Sequence, residues 1–192
     1  MSRWEPNARG RLETAALALF TEHGFEQTTV AEIAGRAGLT ERTFYRHFAD
    51  KRDVLFPDTN PLGTFLVEAL EGVPAPAAPM DTVAAVLDGV GLFFKDRWEF
   101  ARRRQAVIAA NPELHERELV KFAFLTATLS EGLRRRGVGE PAASLAAEAG
   151  VAVFKIAFGQ WVAESEQRDL RELMRAAVAE LKAVTSAGEA PG

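Results

Sequence analysis

The chain has 192 residues, of which 47% are hydrophobic and 26% are charged, a composition typical of one globular domain or two small ones. Its 23 Lys and Arg residues are outnumbered by 27 Asp and Glu residues, and the net charge of −4 excludes a protein that binds polyanions by bulk positive charge. No cysteine is present, which excludes disulfide frameworks, thiolate metal sites and cysteine nucleophiles.

The fold class follows from the spacing of apolar residues. Runs of alternating β-branched residues and Asn-Gly or Asp-Gly hairpin turns are missing, and apolar residues recur at three- and four-residue spacings. No stretch reaches the roughly 20 apolar residues that span a bilayer, and the residues after Met1 lack the apolar core of a signal peptide. We therefore expect an all-α protein in the cytoplasm.

Three helices in quick succession are expected at the start of the chain. The first is predicted over residues 6–23 and ends at a glycine. The second is predicted over residues 29–38, where Thr29 begins a capping box. The third is predicted over residues 40–48, and a fourth helix is expected to open at Asp50.

Two prolines, Pro57 and Pro61, then interrupt the helical pattern, because proline disfavours helix at the residue before it. A proline-rich loop over residues 73–79 is the clearest linker. The remaining predicted helices cover residues 62–72, a segment capped by Asp81, and residues 98–110, 112–136, 141–164 and 169–185. Residues 186–192 are expected to form a frayed tail.

Residues 28–52 have the pattern of a helix-turn-helix. Ala34 is a small residue where two helices would cross, and Gly38 lies in the turn between them. The second helix would present Arg42 and Arg46 on one face, and the planar guanidinium matches a guanine edge or a phosphate. The net charge between Arg36 and Arg52 is +3, although residues 1–56 are neutral as a whole. Phosphate binding would therefore be focused on one short segment.

Residues 9–56 resemble the DNA-binding domain of TetR-family transcriptional regulators. The resemblance is carried by Ala16–Phe20, Gly24-Phe25, Thr28-Thr29-Val30, Ile33-Ala34, Ala37-Gly38-Leu39-Thr40, Thr43-Phe44-Tyr45-Arg46-His47-Phe48 and Lys51. It implies an N-terminal three-helix helix-turn-helix DNA-binding domain over residues 1–52. It also implies a C-terminal helical bundle over residues 53–192 that binds an effector and dimerises.

The same resemblance implies individual roles in binding double-stranded DNA. The candidates for base contact are Arg42, Thr43 and Arg46, and Arg36 could reach either base or phosphate. The candidates for phosphate contact are Thr28, Thr29, Thr40, Tyr45, His47 and Lys51. Plainer alternatives stay open: Thr29 and Thr40 could act as caps only, Tyr45 could be a core aromatic, and Arg46 could pair with Glu41 or Asp50.

Segment 149–162 is apolar on nearly every face, which indicates a helix covered by its own domain on one side and by a partner subunit on the other. The resemblance implies a homodimer, built on the last two helices, that binds a pseudo-palindromic operator. The interface candidates are Ala149, Ala152, Val153, Ile156, Gln160, Leu173, Ala177 and Leu181. A central core helix without a partner is the alternative.

The resemblance also implies a pocket for a small-molecule effector among the middle helices. Ligand pockets are mostly apolar with a few placed polar groups. The candidates are Phe65, Phe93, Phe94, Trp98, Gln105, Phe122, Thr126, Phe158 and Trp161. The alternative for each of them is an ordinary place in the core. No cofactor is expected.

Sequence motifs for catalysis are missing. The chain has no His-Glu-x-x-His, no Gly-x-Ser-x-Gly and no glycine-rich phosphate loop, and its three histidines are far apart. No catalytic residue and no metal site is therefore expected. Two functions remain: a homodimeric repressor that a small, largely apolar effector releases from its operator, and a helix-turn-helix protein without effector control, with an architectural or protein-interaction role. A filled core would favour the second.

Overall fold

The computed structural model describes residues 7–57, 60–166 and 168–186, and these segments contain nine helices and no strand. The predicted all-α class is confirmed. The helices are α1 Ala8–His23, α2 Val30–Arg36, α3 Glu41–His47, α4 Pro61–Gly72, α5 Pro79–Phe93, α6 Trp98–Ala109, α7 Pro112–Arg135, α8 Ala142–Ala163 and α9 Leu170–Ser186. Pro6 and most of the predicted tail lie outside the described residues.

The described residues divide into two compact units. The first contains those up to Asn60 together with Glu99–Glu118, and the second contains Pro61–Trp98 together with those from Leu119 onward. The first unit thus includes α6 and the start of α7 in addition to α1, α2 and α3. The predicted domain boundary, between residues 52 and 53, lies within this first unit.

The core of the first unit is built around α1. Leu12, Ala16 and Phe20 are buried along its inner face, at the spacing of a helical stripe. Ile33 of α2 and Phe44 of α3 are fully buried in the same cluster. These apolar contacts hold α2 and α3, which have only seven residues each and are too short to be stable alone.

The turn between α2 and α3 is set by backbone hydrogen bonds around a glycine. Gly38 has a φ of +65°, and its N–H donates to Gly35 O at 3.0 Å. The N–H of Leu39 donates to Ala34 O at 2.8 Å, and Arg11 of α1 donates to Ala37 O. A positive φ favours glycine because a Cβ is strained there. Gly38 therefore fixes the direction in which the chain enters α3.

The helix expected to open at Asp50 is not formed, and this prediction is wrong. Residues 51–55 form hydrogen-bonded turns, in which Asp50 Oδ1 accepts from Arg52 N at 2.7 Å and from Asp53 N at 3.1 Å. An aspartate that takes the nearby amides in this way favours a turn. Pro57 further disfavours helix at its predecessor. The next helix begins only at Pro61.

Buried polar groups of α6 and α7 lie in the first unit beside this turn. Arg104 donates to Leu55 O at 3.0 Å and to Glu118 Oε1 at 3.3 Å. Gln105 donates to the other carboxylate oxygen of Glu118 at 3.0 Å. Burial lowers the pKa of Arg104, and the charge of Glu118 opposes that effect. This network attaches the turn that follows α3 to α6.

The second unit is packed around α8, which contacts α5 and α9 closely. Gly150 of α8 is a point of close approach, since a Cβ there would lie 2.6 Å from Val83 Cγ1. Asp88 of α5 pairs with Arg171 at 2.5 Å and with Arg175 at 2.6 Å, both on α9. The hydrogen bond with Arg171 is the main cause that lowers the pKa of Asp88, so the carboxylate stays ionised at neutral pH.

The start of α5 differs from the sequence prediction, and the end of α7 agrees with it. The predicted cap at Asp81 is wrong, because Ala78 is the N-cap of α5 and Pro79 is its first residue, which leaves Asp81 in the first turn. The predicted end of α7 is confirmed by Gly137, which has a φ of +88°. Its N–H donates to Arg134 O, and Val138 N donates to Leu133 O, as in a Schellman end.

We predict opposite stability changes for two glycines three residues apart. Gly38→Ala should lower the free energy of unfolding by about 1–2 kcal/mol, because alanine is strained at positive φ. The new Cβ would also lie 2.9 Å from the Arg11 guanidinium. Gly35→Ala should raise that free energy by about 0.5–1 kcal/mol, since Gly35 lies within α2 and a Cβ there meets nothing within 4 Å.

Urea denaturation of the two variants measures the difference. A stabilised Gly38→Ala variant would show that the turn does not require the left-handed conformation.

Candidate nucleic-acid interface

The exposed face of α3 carries the residue types that read DNA. Arg42, Tyr45 and Arg46 are exposed, and Tyr45 retains 56% of its accessible surface. Thr43 is half-buried, so it borders this face. Phe44 points the other way into the core, where it is fully buried. The alternative that Tyr45 is a core aromatic is therefore wrong, although the edge of its ring contacts Phe44.

Neither Arg42 nor Arg46 forms an ion pair with any residue that the structure describes. The alternative partners proposed for Arg46 are not used: Asp50 pairs instead with Arg52 at 2.9 Å. Both guanidinium groups therefore keep their donors for an external acceptor. An unpaired arginine on a short exposed helix can donate two parallel hydrogen bonds to a guanine edge or a phosphate.

Thr40 and Thr29 begin the two helices of the motif. Thr43 N donates to Thr40 Oγ1 at 3.2 Å, which makes Thr40 the N-cap of α3. Thr29 forms the predicted capping box with Glu32: Glu32 N donates to Thr29 Oγ1 at 3.2 Å, and Thr29 N donates to Glu32 Oε2 at 2.8 Å. Both threonines are exposed. Their capping roles are confirmed, and a phosphate contact by either one stays a prediction.

Thr28 requires a correction. It is only 1% exposed, and its hydroxyl donates to Gly24 O at 2.8 Å. A buried hydroxyl with an internal acceptor is not available to a phosphate. The neighbouring Thr29 is exposed because the chain turns into α2 at that residue.

Two other candidate cations already have internal partners. Arg36 forms two hydrogen bonds to Glu22, the shorter at 2.7 Å, and this contact is the largest cause that lowers the pKa of Glu22. Lys51 Nζ donates to Phe25 O, Glu26 O and Thr28 O at 2.8, 3.0 and 3.3 Å. Lys51 therefore anchors the segment that precedes α2, and its contact with phosphate stays a prediction.

An apolar cavity of about 20 Å³ lies within the second unit, which is room for about one water-sized group. Its lining is entirely apolar: Leu62, Leu66, Val86, Leu87, Val90, Leu125, Leu129, Gly150, Val151 and Phe154. None of the nine residues proposed from the sequence lines it. Aliphatic side chains form most of the lining, and their periodic spacing in the sequence does not distinguish a cavity wall from a filled core.

The aromatic candidates gather beside this cavity without lining it. Phe94 contacts Phe93, Phe158 and Trp161 at ring-centroid distances of 5.2, 5.2 and 6.0 Å. Further members of the cluster are Phe65, which contacts Phe93, and Phe122, which contacts Phe154. Trp98 Nε1 donates to Trp161 O at 2.9 Å. Only Phe154 belongs to both the aromatic cluster and the cavity lining.

The two polar pocket candidates, Gln105 and Thr126, do not line the cavity either. Gln105 lies in the first unit, where it donates to Glu118, whereas Trp98 lies in the second unit with the aromatic cluster. A contact of Gln105 with an effector stays a prediction. Thr126 is half-buried on α7 and does not line the cavity.

The outward face of α8 is apolar and exposed. Leu145 and Ile156 retain 65% and 58% of their accessible surface, and Ala152 and Gln160 lie on the same face. On α9, Val184 is exposed, and Ala177 and Leu181 are half-buried, as is Ala149 on α8.

Two of the interface candidates require a correction. Val153 and Leu173 are buried at 3% and 5% exposure within the second unit, so they are wrong as partner contacts. Both lie on the inner faces of their helices, and α8, which carries Val153, is apolar on its outer face as well.

The described segments hold no cluster of three or more His, Cys, Asp or Glu side chains that could bind a metal ion. One helix among them, Ala142–Ala163, is long and apolar enough to cross a membrane by length and composition alone. Half of its most apolar stretch is buried within the second unit, as in the core helix of a globular domain.

Comparison with known proteins identifies the class. A family model described as bacterial regulatory proteins of the tetR family matches residues 13–56, and one described as the MftR C-terminal domain matches residues 77–186. The chain belongs to the TetR family of bacterial regulatory proteins. Its larger C-terminal part belongs to the MftR C-terminal domain family, whose match covers more than half of the chain.

Individual relatives agree with this class. The chain is 26% identical over 129 residues to a protein of Mycobacterium tuberculosis described as a mycofactocin biosynthesis transcriptional regulator, MftR, with 67% of this chain and 65% of that protein covered. It is 35% identical over 82 residues to the transcriptional regulator TcmR of Streptomyces glaucescens, with 43% of this chain and 36% of TcmR covered. The chain thus spans less than two thirds of the length of these relatives.

Solved structures share the fold. SmeT, the repressor of a Stenotrophomonas maltophilia multidrug efflux pump, superposes with a TM-score of 0.62 at 24% identity, over 92% of this chain and 89% of SmeT. FadR of Bacillus subtilis, solved with stearoyl-CoA, superposes with a TM-score of 0.61 at 23% identity, over 90% of this chain and 96% of FadR. At these identities the likeness shows the fold alone.

We predict that Arg42→Gln and Arg46→Gln each weaken binding to the promoter fragment upstream of the protein's own gene by about 1–3 kcal/mol and relax its sequence preference. Arg36→Gln should cost less, because the Arg36 guanidinium is already paired with Glu22. Fluorescence anisotropy with the promoter fragment and a scrambled duplex measures both effects. Equal losses on the two duplexes would instead assign Arg42 and Arg46 to phosphate.

Proposed function

We propose that the chain is a homodimeric repressor of the cytoplasm that a small, largely apolar effector releases from a pseudo-palindromic operator. The observation that carries the effector part of the proposal is the wholly apolar cavity within the second unit. Arg42, Thr43 and Arg46 read base edges in the major groove. Phosphate contacts come from the exposed Thr29, Thr40 and Tyr45, with Arg36, His47 and Lys51 as further candidates.

Dimerisation is expected because the recognition helix α3 is short. A seven-residue recognition helix gives too little contact for a specific site, and helix-turn-helix proteins normally pair two such helices on half-sites about 34–36 Å apart. The outward face of α8 supports a partner subunit, since exposed Leu145, Ala152 and Ile156 form one apolar row. Ala176, Ala179 and Val184 of α9 are also exposed.

The cavity lining contains no polar side chain, and this indicates the chemical character of the effector. Its lining offers no side-chain hydrogen-bond partner, so an effector would gain affinity from apolar burial. Structures with the same fold were solved with triclosan and with stearoyl-CoA, both of which carry apolar parts. An effector favours release only as far as it binds the released conformation more tightly than the DNA-bound one.

The small size of the cavity favours a second candidate function. A space of about 20 Å³ holds no more than about one water-sized group, so any larger effector must displace side chains of the lining. A helix-turn-helix regulator without effector control, with an architectural or protein-interaction role, requires no such displacement. Ligand titration separates the two functions.

We predict that triclosan or decanoic acid, used as apolar probes, raises the midpoint of thermal unfolding and releases the promoter fragment. Stabilisation should approach about 2.7 kcal/mol at 100 times the dissociation constant. Val151→Leu fills the cavity and should weaken probe binding by at least about tenfold, because the added methylene occupies the ligand space.

Val178→Leu is the matched control, since Val178 is equally buried and does not line the cavity. If neither probe changes thermal stability or DNA binding, the function without effector control is favoured.

We predict that Ile156→Glu yields a folded monomer and weakens operator binding by at least about 100-fold, because a carboxylate would be buried in the subunit interface. Val120→Glu is the charge-matched control, since Val120 is 70% exposed on α7 and lies off that face. Sedimentation equilibrium gives the oligomeric state of both variants. A dimeric Ile156→Glu variant would exclude this face of α8 from the interface.

A further inference from the structure

Two cationic or titratable side chains converge in the first unit where α1 begins and α3 ends. The Arg9 guanidinium lies over the ring of Phe48, with its Cζ 4.8 Å from the ring centroid. The imidazole of His47 is the neighbour of the same ring, at a centroid distance of 6.4 Å. Arg46 precedes His47 on α3. Phe48 thus brings the Arg9 cation from α1 beside the imidazole of His47 at the end of α3.

Several side-chain nitrogens of this cluster have no hydrogen-bond partner among the described residues. His47 Nε2 is buried and has no hydrogen-bond partner. Arg9 uses its Nε for Glu13 at 3.0 Å, and its terminal nitrogens make no further hydrogen bond with the described residues. Arg46 has no ion pair there either. A buried nitrogen without a partner is costly, and an acceptor that reached it would remove that cost.

Burial and the neighbouring cations both favour the neutral form of the His47 imidazole. Burial is the largest cause that lowers its pKa below the ordinary value of 6.5, followed by the charges of Arg46 and Arg9. The groups that face it are therefore Arg46 on its own helix and, on α1, Arg9 with its partner Glu13. An anion placed between Arg9 and His47 would reverse the balance, because it favours the protonated imidazole.

We propose that Arg9 and His47 together bind one backbone phosphate of duplex DNA, and that the imidazole of His47 takes up a proton from solvent when the phosphate arrives. The inference rests on the proposed function, because His47 is the last residue of the recognition helix α3 and a candidate there for phosphate contact. It adds Arg9, which the helix-turn-helix pattern does not include.

The sign of the pH dependence follows from linkage. If the complex binds one proton more than the free protein, affinity rises as pH falls, by at most about tenfold per pH unit. The effect is confined to the interval between the pKa of His47 in the free protein and its higher pKa in the complex. Over about two pH units around neutrality we expect a loss of roughly threefold to tenfold as pH rises.

The experiment measures affinity by fluorescence anisotropy from about pH 5.5 to 8.5 at constant ionic strength. It uses the full chain with the promoter fragment and, at low salt, a short scrambled duplex. The variants are Arg9→Gln, Arg9→Lys and His47→Gln, with Arg103→Gln as the matched control. Like Arg9, Arg103 pairs through its Nε with a glutamate four residues away, at 2.7 Å, although the Arg103 pair is the more exposed of the two.

His47→Gln should bind DNA like the wild type at high pH, but its affinity should not rise as pH falls. Arg9→Gln should weaken binding to both duplexes by roughly threefold to tenfold and reduce the salt slope by about 0.9, the value for one phosphate. Arg9→Lys should restore much of the loss, and Arg103→Gln should have no effect. The proposal would be overturned if Arg9→Gln and Arg103→Gln had equal DNA affinities. It would also be overturned if the affinity of His47→Gln depended on pH as that of the wild type does.

Proton uptake is followed directly through the ring resonances of His47 in NMR spectra. The scrambled duplex should raise the pKa of His47, whereas inorganic phosphate at the same ionic strength should raise it less. An equal rise with inorganic phosphate would assign the cluster to free anions and overturn the assignment to DNA. Loss of preference for the promoter fragment over the scrambled duplex would contradict the proposed function and leave the pH effect on both duplexes intact.

Discussion

Burial of Phe44 and Phe48 against α1 is the interaction on which the proposed DNA-reading surface depends. The recognition helix α3 has seven residues, and a helix of that length is unstable by itself in water. Because Phe44 and Phe48 are buried at 0% and 2% exposure, the helical period turns Arg42, Tyr45 and Arg46 outward. The apolar core of the first unit therefore decides which side chains are available to a nucleic acid.

Internal partners then divide the basic residues into different roles. Lys51 holds three backbone carbonyls before α2, and Arg36 is paired with Glu22 on α1, so both stabilise the position of the motif. Arg42 and Arg46 have no such ion pairs among the described residues. Under this arrangement a segment with a small net charge can still attract a nucleic acid, because the cations without ion pairs, Arg42 and Arg46, lie on one helix face.

The second unit depends on α8, which is apolar on both faces. Its inner face buries Val153, Phe154 and Phe158 against neighbouring helices, and its outer face exposes Leu145 and Ile156. Two apolar faces explain why the helix is long and apolar enough to cross a membrane. They also explain why Val153 could be mistaken for a surface residue, since composition does not indicate which face is inner.

Much of the fold was determined by the sequence alone, because caps, glycine ends and apolar periods report contacts between residues three or four positions apart. The capping box of Thr29, the turn at Gly38 and the outward arginines of α3 are of this kind. The tertiary structure alone decided the contacts that join distant segments: Lys51 with Phe25, Arg104 with Glu118, Arg9 beside His47, and the aliphatic lining of the cavity. Packing sets those contacts, and no local spacing encodes them.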